Sequence, residues 1–421
     1  MAEHIIKNYS QIATTPLREQ VLAIAEAGLA AIDTESAILN NIKLEQNRLV
    51  IKGQTFDLSK YKNLKVVGFG KASCRAAQAL ERVLGNLIEQ GVALGLAPVA
   101  CELIKTYHGT HPEPSYENVA VSEQIMQICK DATADDLVIV VVSGGGSALL
   151  CWPKQECDQS QILYHQFLRT GGTIQELNSI RKHISLLKGG GLAKFLYPAT
   201  VIGLIFSDIP GDHLDIIASG PTYLDQTTVS DAEQIIKKYN LPKFDLIETP
   251  KDPKYFEKIT NIALVTNDLA LQAMAKKAEE LGFGAHIASD QFYEEAPELL
   301  QTMRKLSANK TVVLAGGEPK MKIPAGGGTG GRNLYVSLHA LATGSDQEYF
   351  LALASDGFDN SGAAGAIADS QSRAKAQAQG IDLTVVIEKF DGYNTFQKLD
   401  ELIFTGPTEA NVSDLFILLR E

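Results

Sequence analysis

The sequence predicts an α/β protein of two domains, and three observations carry that prediction. Apolar runs that read as strands end in a glycine turn and enter a helix, as in LKVVGFGKAS and DLVIVVVSGGGSALL. This grammar stops across residues 224–260, where three prolines and many charges replace it, and restarts with NIALVTND, TVVLAGGE and YFLALASDGFD. At 421 residues the chain is also too long for one ordinary core. The expected domains are residues 1–240 and 250–421, with a ligand site in the cleft between two such α/β units.

Taken in order, LREQVLAIAEAGLAAI reads as a helix with Thr15 as its N-cap and Pro16 at its first position. The runs LKVVGF and DLVIVVVS are apolar on both faces, which suits a mostly parallel sheet covered on both sides. TVIGLIF is a third strand of the same kind and runs into SDIPGD. Farther on, RNLYVSLHALA places Leu334, Leu338 and Leu341 on one helical face beginning near Arg332.

Composition excludes several classes. A net charge of -12 argues against a nucleic-acid partner, which needs a basic face. No segment is apolar for long enough to span a membrane, and the first residues lack signal- or transit-peptide bias. The five cysteines form no CxxC pair, so the expectation is reduced thiols in a cytoplasmic protein.

The glycine loops are the first candidates for chemistry. GFGKAS sets Lys71 at a helix N-terminus, a place that suits a phosphate, although a tight turn with a solvated lysine is an equal reading. It fails as a dinucleotide fingerprint, since Ser73 stands where the third glycine belongs, and it fails as a Walker loop. In SGGGSALL, Ser143, Gly144, Gly145, Gly146 and Ser147 end a buried strand, where bare backbone and hydroxyl groups could cradle nucleotide phosphates. Tight helix–sheet packing is the other explanation of those glycines. GGGTGGRN leads into a helix rather than a linker, so Gly328, Gly330 and Gly331 with Arg332 read as an anion site.

Carboxylates that leave strand ends come second. Asp208 and Asp356 directly follow apolar runs and are the candidate metal ligands, while Asp212 and Asp359 serve turns at least as well. His108 and His111 read as part of a proline-rich surface loop. In RKHISLLKGGG, the residues Arg181, Lys182, His183 and Lys188 are either solvated or line an anionic pocket.

Seven blocks in this order resemble the glycerate 2-kinase family: GFGKAS, SGGGSALL, LNSIRKHISLLKGGGLA, SDIPGDHLDIIASGPT, GGTGGRN, SDGFD and TGPTEANVSDL. The resemblance implies a Rossmann-like first domain and a C-terminal domain named after an M-O-F-R-L motif. It implies transfer of the ATP γ-phosphoryl group to the 2-hydroxyl of D-glycerate with a divalent metal, Mg2+. It also implies that Lys71 and Arg332 are active-site residues. By the logic of phosphoryl transfer, Asp208 or Asp356 would hold the metal or accept the hydroxyl proton. One departure stands in the last block, where Glu409 and Ala410 replace a Gly-Thr pair. A hydroxypyruvate reductase and a non-catalytic sensor of a phosphorylated metabolite are the rival functions. The sequence leaves the oligomeric state open, a homodimer among the candidates.

Overall fold

The computed structural model describes residues 4–211, 213–321, 326–408 and 410–421. The chain forms two compact units, one of residues 34–207 and 213–264, the other of residues 1–33, 208–212 and 265–421. Between these compact units the boundary falls after Leu264, later than the expected 240–250. The proline-rich stretch stays with the first unit, and its helix Val229–Lys238 is started by a capping box at Thr228.

The first unit opens with a small antiparallel sheet of β1 (Ile42–Glu45), β2 (Arg48–Ile51) and β3 (Gln54–Asp57). Its main sheet contains β4 (Asn63–Phe69), β5 (Ile88–Gly95), β6 (Ile104–His108), β7 (Asp136–Ser143), β8 (Thr200–Phe206) and β9 (Ile259–Val265). The order is β6-β5-β4-β7-β8-β9, and β6 through β8 pair in parallel. This is the Rossmann order, in which the chain winds one way from β4 to β6 and the other way from β7. All eight residues of β7 are buried, which explains its unbroken apolar sequence. The reversal falls between β4 and β7, whose ends carry GFGKAS and SGGGS. A sheet of this kind binds ligands at that crevice.

The second unit is built on a mixed sheet of β10 (Gly284–Phe292), β11 (Thr311–Gly317), β12 (Glu348–Ala354), β13 (Gly365–Ala368), β14 (Leu402–Ile403) and β15 (Asp414–Arg420). The order is β10-β11-β15-β12-β13-β14, so the last strand of the chain lies in the middle. Only β10 and β11 run parallel. In register, Gly317 at the end of β11 and Ala354 at the end of β12 both face Asp414 at the start of β15. Loops leaving β11 and β12 therefore meet the segment entering β15.

The helix Pro16–Ile32 forms as expected, with the Thr15 hydroxyl accepting from the Arg18 N–H. It belongs to the second unit rather than the first because Arg18 is wholly buried there. Its Nε and Nη2 donate to Asp369 at 2.6 and 2.8 Å, and its Nη1 donates to Glu401 at 2.7 Å. Removing one partner of a buried ion cluster leaves the others uncompensated. Arg18→Ala is expected to destabilise this unit by about 3–5 kcal/mol, measured by chemical denaturation. A change below about 1 kcal/mol would mean that water already reaches the cluster. Among the described residues no helix is long and apolar enough to cross a membrane.

Candidate active site

In the first unit the two glycine loops lock together at the sheet's switch point. The Lys71 N–H donates to the Gly144 carbonyl at 2.9 Å, and the Ala72 N–H donates to the Ser143 hydroxyl at 3.1 Å. Gly70 has a φ of 121°, and a Cβ there would fall 2.2 Å from Ser143 Oγ. No other residue fits. Ser73, which breaks the dinucleotide fingerprint, is buried with its hydroxyl between the Gly70 and Leu94 carbonyls at 2.8 and 2.6 Å, sharing one proton between them. It closes the turn where a dinucleotide site would need space.

Gly145, at φ 79°, also has close neighbours. A Cβ on it would lie 3.0 Å from His111 Cδ2 and 3.1 Å from Lys71 Cγ. His111 does belong to an exposed loop, but its ring turns onto the glycine loop. Partial burial and the charges of Lys71 and Arg181 hold its pKa down to about 4. Ser147 is bonded to Ser219 at 2.9 Å, and Ser219 donates to Asn178 Oδ1 at 3.1 Å. Because Ser219 has only one proton, Ser147 must be the donor in the first of these bonds. Ala218 and Ser219 adopt φ values of 51° and 62°, backbone strain of the kind that collects at functional sites.

Three of the basic residues in RKHISLLKGGG have structural partners. Lys182 pairs with Asp225 at 3.0 Å, Lys188 pairs with buried Glu156, and His183 lies between the Ser179 carbonyl and Glu248. Arg181 remains, half-buried beside Asn178.

The second unit holds a pocket of about 150 Å³ where β11, β12 and β15 meet, lined by Glu318, Arg332, Asp356, Asn411, Ser413 and Asp414 among others. Arg332 begins the helix Arg332–Thr343. Its Nε donates to Asp414 at 2.8 Å and its Nη1 to Glu318 at 3.3 Å, which fixes the guanidinium on the pocket wall. Burial pushes the Asp414 carboxyl up to about 7, against the pull of Arg332 and with a push from Asp359. Asp356 lines the pocket, and its Oδ1 accepts the Phe358 N–H at 3.1 Å. The Asp208 carbonyl accepts from the Ser413 hydroxyl at 3.1 Å, which ties the 208 segment to the pocket wall.

The glycine loop before Arg332 offers fewer free donors than the sequence suggests. The Gly328 N–H donates to the Lys389 carbonyl at 2.7 Å. Asp359 accepts the N–H groups of Gly331, Asn333 and Leu334 at 3.1, 3.1 and 2.8 Å, so it caps the helix from another loop. Of the phosphate donors expected at Gly328, Gly330 and Gly331, the N–H groups of Gly328 and Gly331 are thus bonded within the chain. These glycines serve close packing: a Cβ on Gly328 would fall 2.7 Å from Asp391 Cα and one on Gly331 2.3 Å from Asp359 Oδ1, while Gly330 has a φ of 132°. Asp359 is thereby a structural cap, as its place in a turn allowed. Asp212 and Glu409 lie outside the described residues.

Sequence reasoning missed Glu318 and Asp414 and set His111 aside. A signal existed for Asp414, since an acid opening the apolar run LFILL has little reason to be buried unless it is used. His111 had no such signal, because its neighbours come from β4 and β7.

The fold and these two loop clusters define a two-unit α/β protein with polar and glycine-rich loops at its strand ends. Residues 20–247 match the domain of unknown function DUF4147, and residues 311–414 match the MOFRL family. A glycerate 2-kinase of Pyrococcus horikoshii is 32% identical over 96% of this chain and 97% of its own length. A putative hydroxypyruvate reductase of Agrobacterium vitis is 33% identical over 96% of this chain and 94% of its own. The crystal structure of a glycerate kinase from Thermotoga maritima, 28% identical, covers 96% of this chain and 99% of that one with a TM-score of 0.86. The chain belongs to the glycerate 2-kinase family.

Proposed function

We propose that the protein transfers the γ-phosphoryl group of ATP to the 2-hydroxyl of D-glycerate, giving 2-phosphoglycerate and ADP. The observation that carries this is the similarity to a glycerate 2-kinase along nearly the whole chain, with Lys71 and Arg332 each placed at a loop cluster. Phosphoryl transfer depends mainly on positioning and on neutralising charge. Lys71 supplies an exposed cation beside the Ser143–Ser147 loop, which would hold nucleotide phosphates. Arg332, fixed by Asp414 and Glu318, supplies a second cation.

Mg2+ usually takes one or two carboxylates and leaves its remaining positions to phosphate oxygens and water. Asp356 on the pocket wall offers a hard oxygen donor of that kind, as does Glu318. Asp356 or Asp208 would hold the ion, which when bound neutralises phosphate charge. The carboxylate not so engaged would accept the hydroxyl proton.

The reductase alternative takes its support from the name of the Agrobacterium vitis relative. A dinucleotide site needs its third glycine and an acid about 20 residues on, at the ligand crevice. Ser73 fills the first place, and Glu89 sits at the start of β5, away from its C-terminal end.

Phosphorus NMR of the protein with D-glycerate, ATP and Mg2+ tests the proposal, alongside an NADH and hydroxypyruvate control. A 2-phosphoglycerate resonance growing with ADP is the expected result. NADH oxidation without phosphoryl transfer would overturn it.

A further inference from the structure

Arg181 is placed unlike any other base in its run. Among the described residues no carboxylate pairs with its guanidinium, although it is half-buried and its Nη1 donates only a long 3.5 Å bond to Asn178 Oδ1. Burial draws its pKa down to about 10. Holding a guanidinium away from water without a countercharge costs free energy. Such an arrangement favours an anion that comes from outside.

The surroundings point the same way. From Arg181 a line of polar contacts runs through Asn178 and Ser219 to Ser147 on the glycine loop. Across that loop, Lys71 and His111 both pack onto Gly145, and His111 senses the charges of both Lys71 and Arg181. The three bases come from three separate stretches of sequence, around β4, after β6 and on the helix Ile174–His183. Among the described residues, no hydrogen bond or ion pair joins an acid to any of these three side chains.

We propose that Lys71, His111 and Arg181 frame an oxyanion subsite at the β4–β7 switch point, with Arg181 as its principal binding residue. A guanidinium fork suits both a carboxylate and a phosphate. The occupant is therefore either the carboxylate of the hydroxy acid or a phosphate of the nucleotide, and assigning it to one of these rests on the kinase function proposed above. The subsite itself does not depend on that function.

The test uses the full-length protein and its Arg181→Met variant, titrated calorimetrically with inorganic phosphate and, separately, with D-glycerate. At least one of the two should bind 10- to 100-fold more weakly to the variant, the range for losing a charged hydrogen-bond partner. The His111 ring, followed by proton NMR, should titrate at higher pH when wild type is saturated with that anion, and should not move in the variant. Without ligand, the variant's melting temperature should equal or exceed that of wild type, because an uncompensated cation has been removed.

Steady-state kinetics then separates the occupants. A raised KM for D-glycerate alone identifies the carboxylate, and a raised KM for ATP alone identifies a phosphate. Equal affinity of both proteins for both anions would overturn the subsite, and so would a lower melting temperature of the ligand-free variant, which marks a structural arginine. If wild type lacks kinase activity but still binds an anion through Arg181, the proposed function fails and the subsite stands.

Discussion

Lys71→Ala is expected to lower turnover by about 10²- to 10³-fold, the loss seen when one preorganised donor to a transition state is removed. The fold should survive, because the side chain is exposed and the interaction that locks the loop is the Lys71 backbone N–H to Gly144. Circular dichroism and the melting temperature should therefore match wild type while kcat falls. If the effect appeared only in the KM for ATP, the lysine would bind ground state and transition state alike, and its role would shrink to nucleotide binding. Turnover within threefold of wild type would remove Lys71 from the mechanism. The neighbouring Gly145 offers a control of a different kind. Any side chain there meets both His111 and Lys71, so its substitution should damage activity by displacing the lysine.

Arg332→Ala is expected to cost about as much in turnover, and it carries a second signature that Lys71→Ala lacks. The Arg332 guanidinium is the main influence holding the Asp414 carboxyl down against burial, which has already pushed it up to about 7. Without the arginine, Asp414 should remain protonated to higher pH. A carboxyl raised in the folded state stabilises fully below its unfolded value near pH 4 and loses that contribution as pH rises through its folded value. Denaturation curves between pH 4 and pH 9 should show stability falling from about pH 4 and levelling off near pH 7 in wild type, with the levelling-off displaced upward in the variant. An unshifted profile would mean that Asp414 does not depend on Arg332. The double variant is informative too: if both cations serve one phosphoryl group, their effects on kcat should fall well short of multiplying.

Much of the architecture was legible because it follows from local chemistry. The buried strand Asp136–Ser143 reads as eight residues apolar enough for both faces to be covered. Thr15 and Pro16 announce a helix start, and the Leu334, Leu338 and Leu341 stripe announces the helix Arg332–Thr343. The site was legible in part for the same reason. Lys71, Ser143–Ser147 and Asp356 all stand where an apolar strand stops, and in an α/β sheet that is where ligands are met.

What the sequence by itself determined was therefore the elements, their α/β class, and the strand-end loops on which chemistry would depend. Only the tertiary structure decided which of those loops meet. The order β6-β5-β4-β7 brings Lys71 onto Gly144 across 73 residues of chain, and no local pattern encodes that pairing. It decided that the helix carrying Arg18 belongs with Asp369 and Glu401 more than 350 residues away, because a buried guanidinium goes where its carboxylates are. It also decided that Asp359 caps the helix that the glycine loop was expected to leave open for a phosphate. Glycine and aspartate have the same sequence signature whether they bind a ligand or pack against the chain. Only the position of their partners in space separates the two uses.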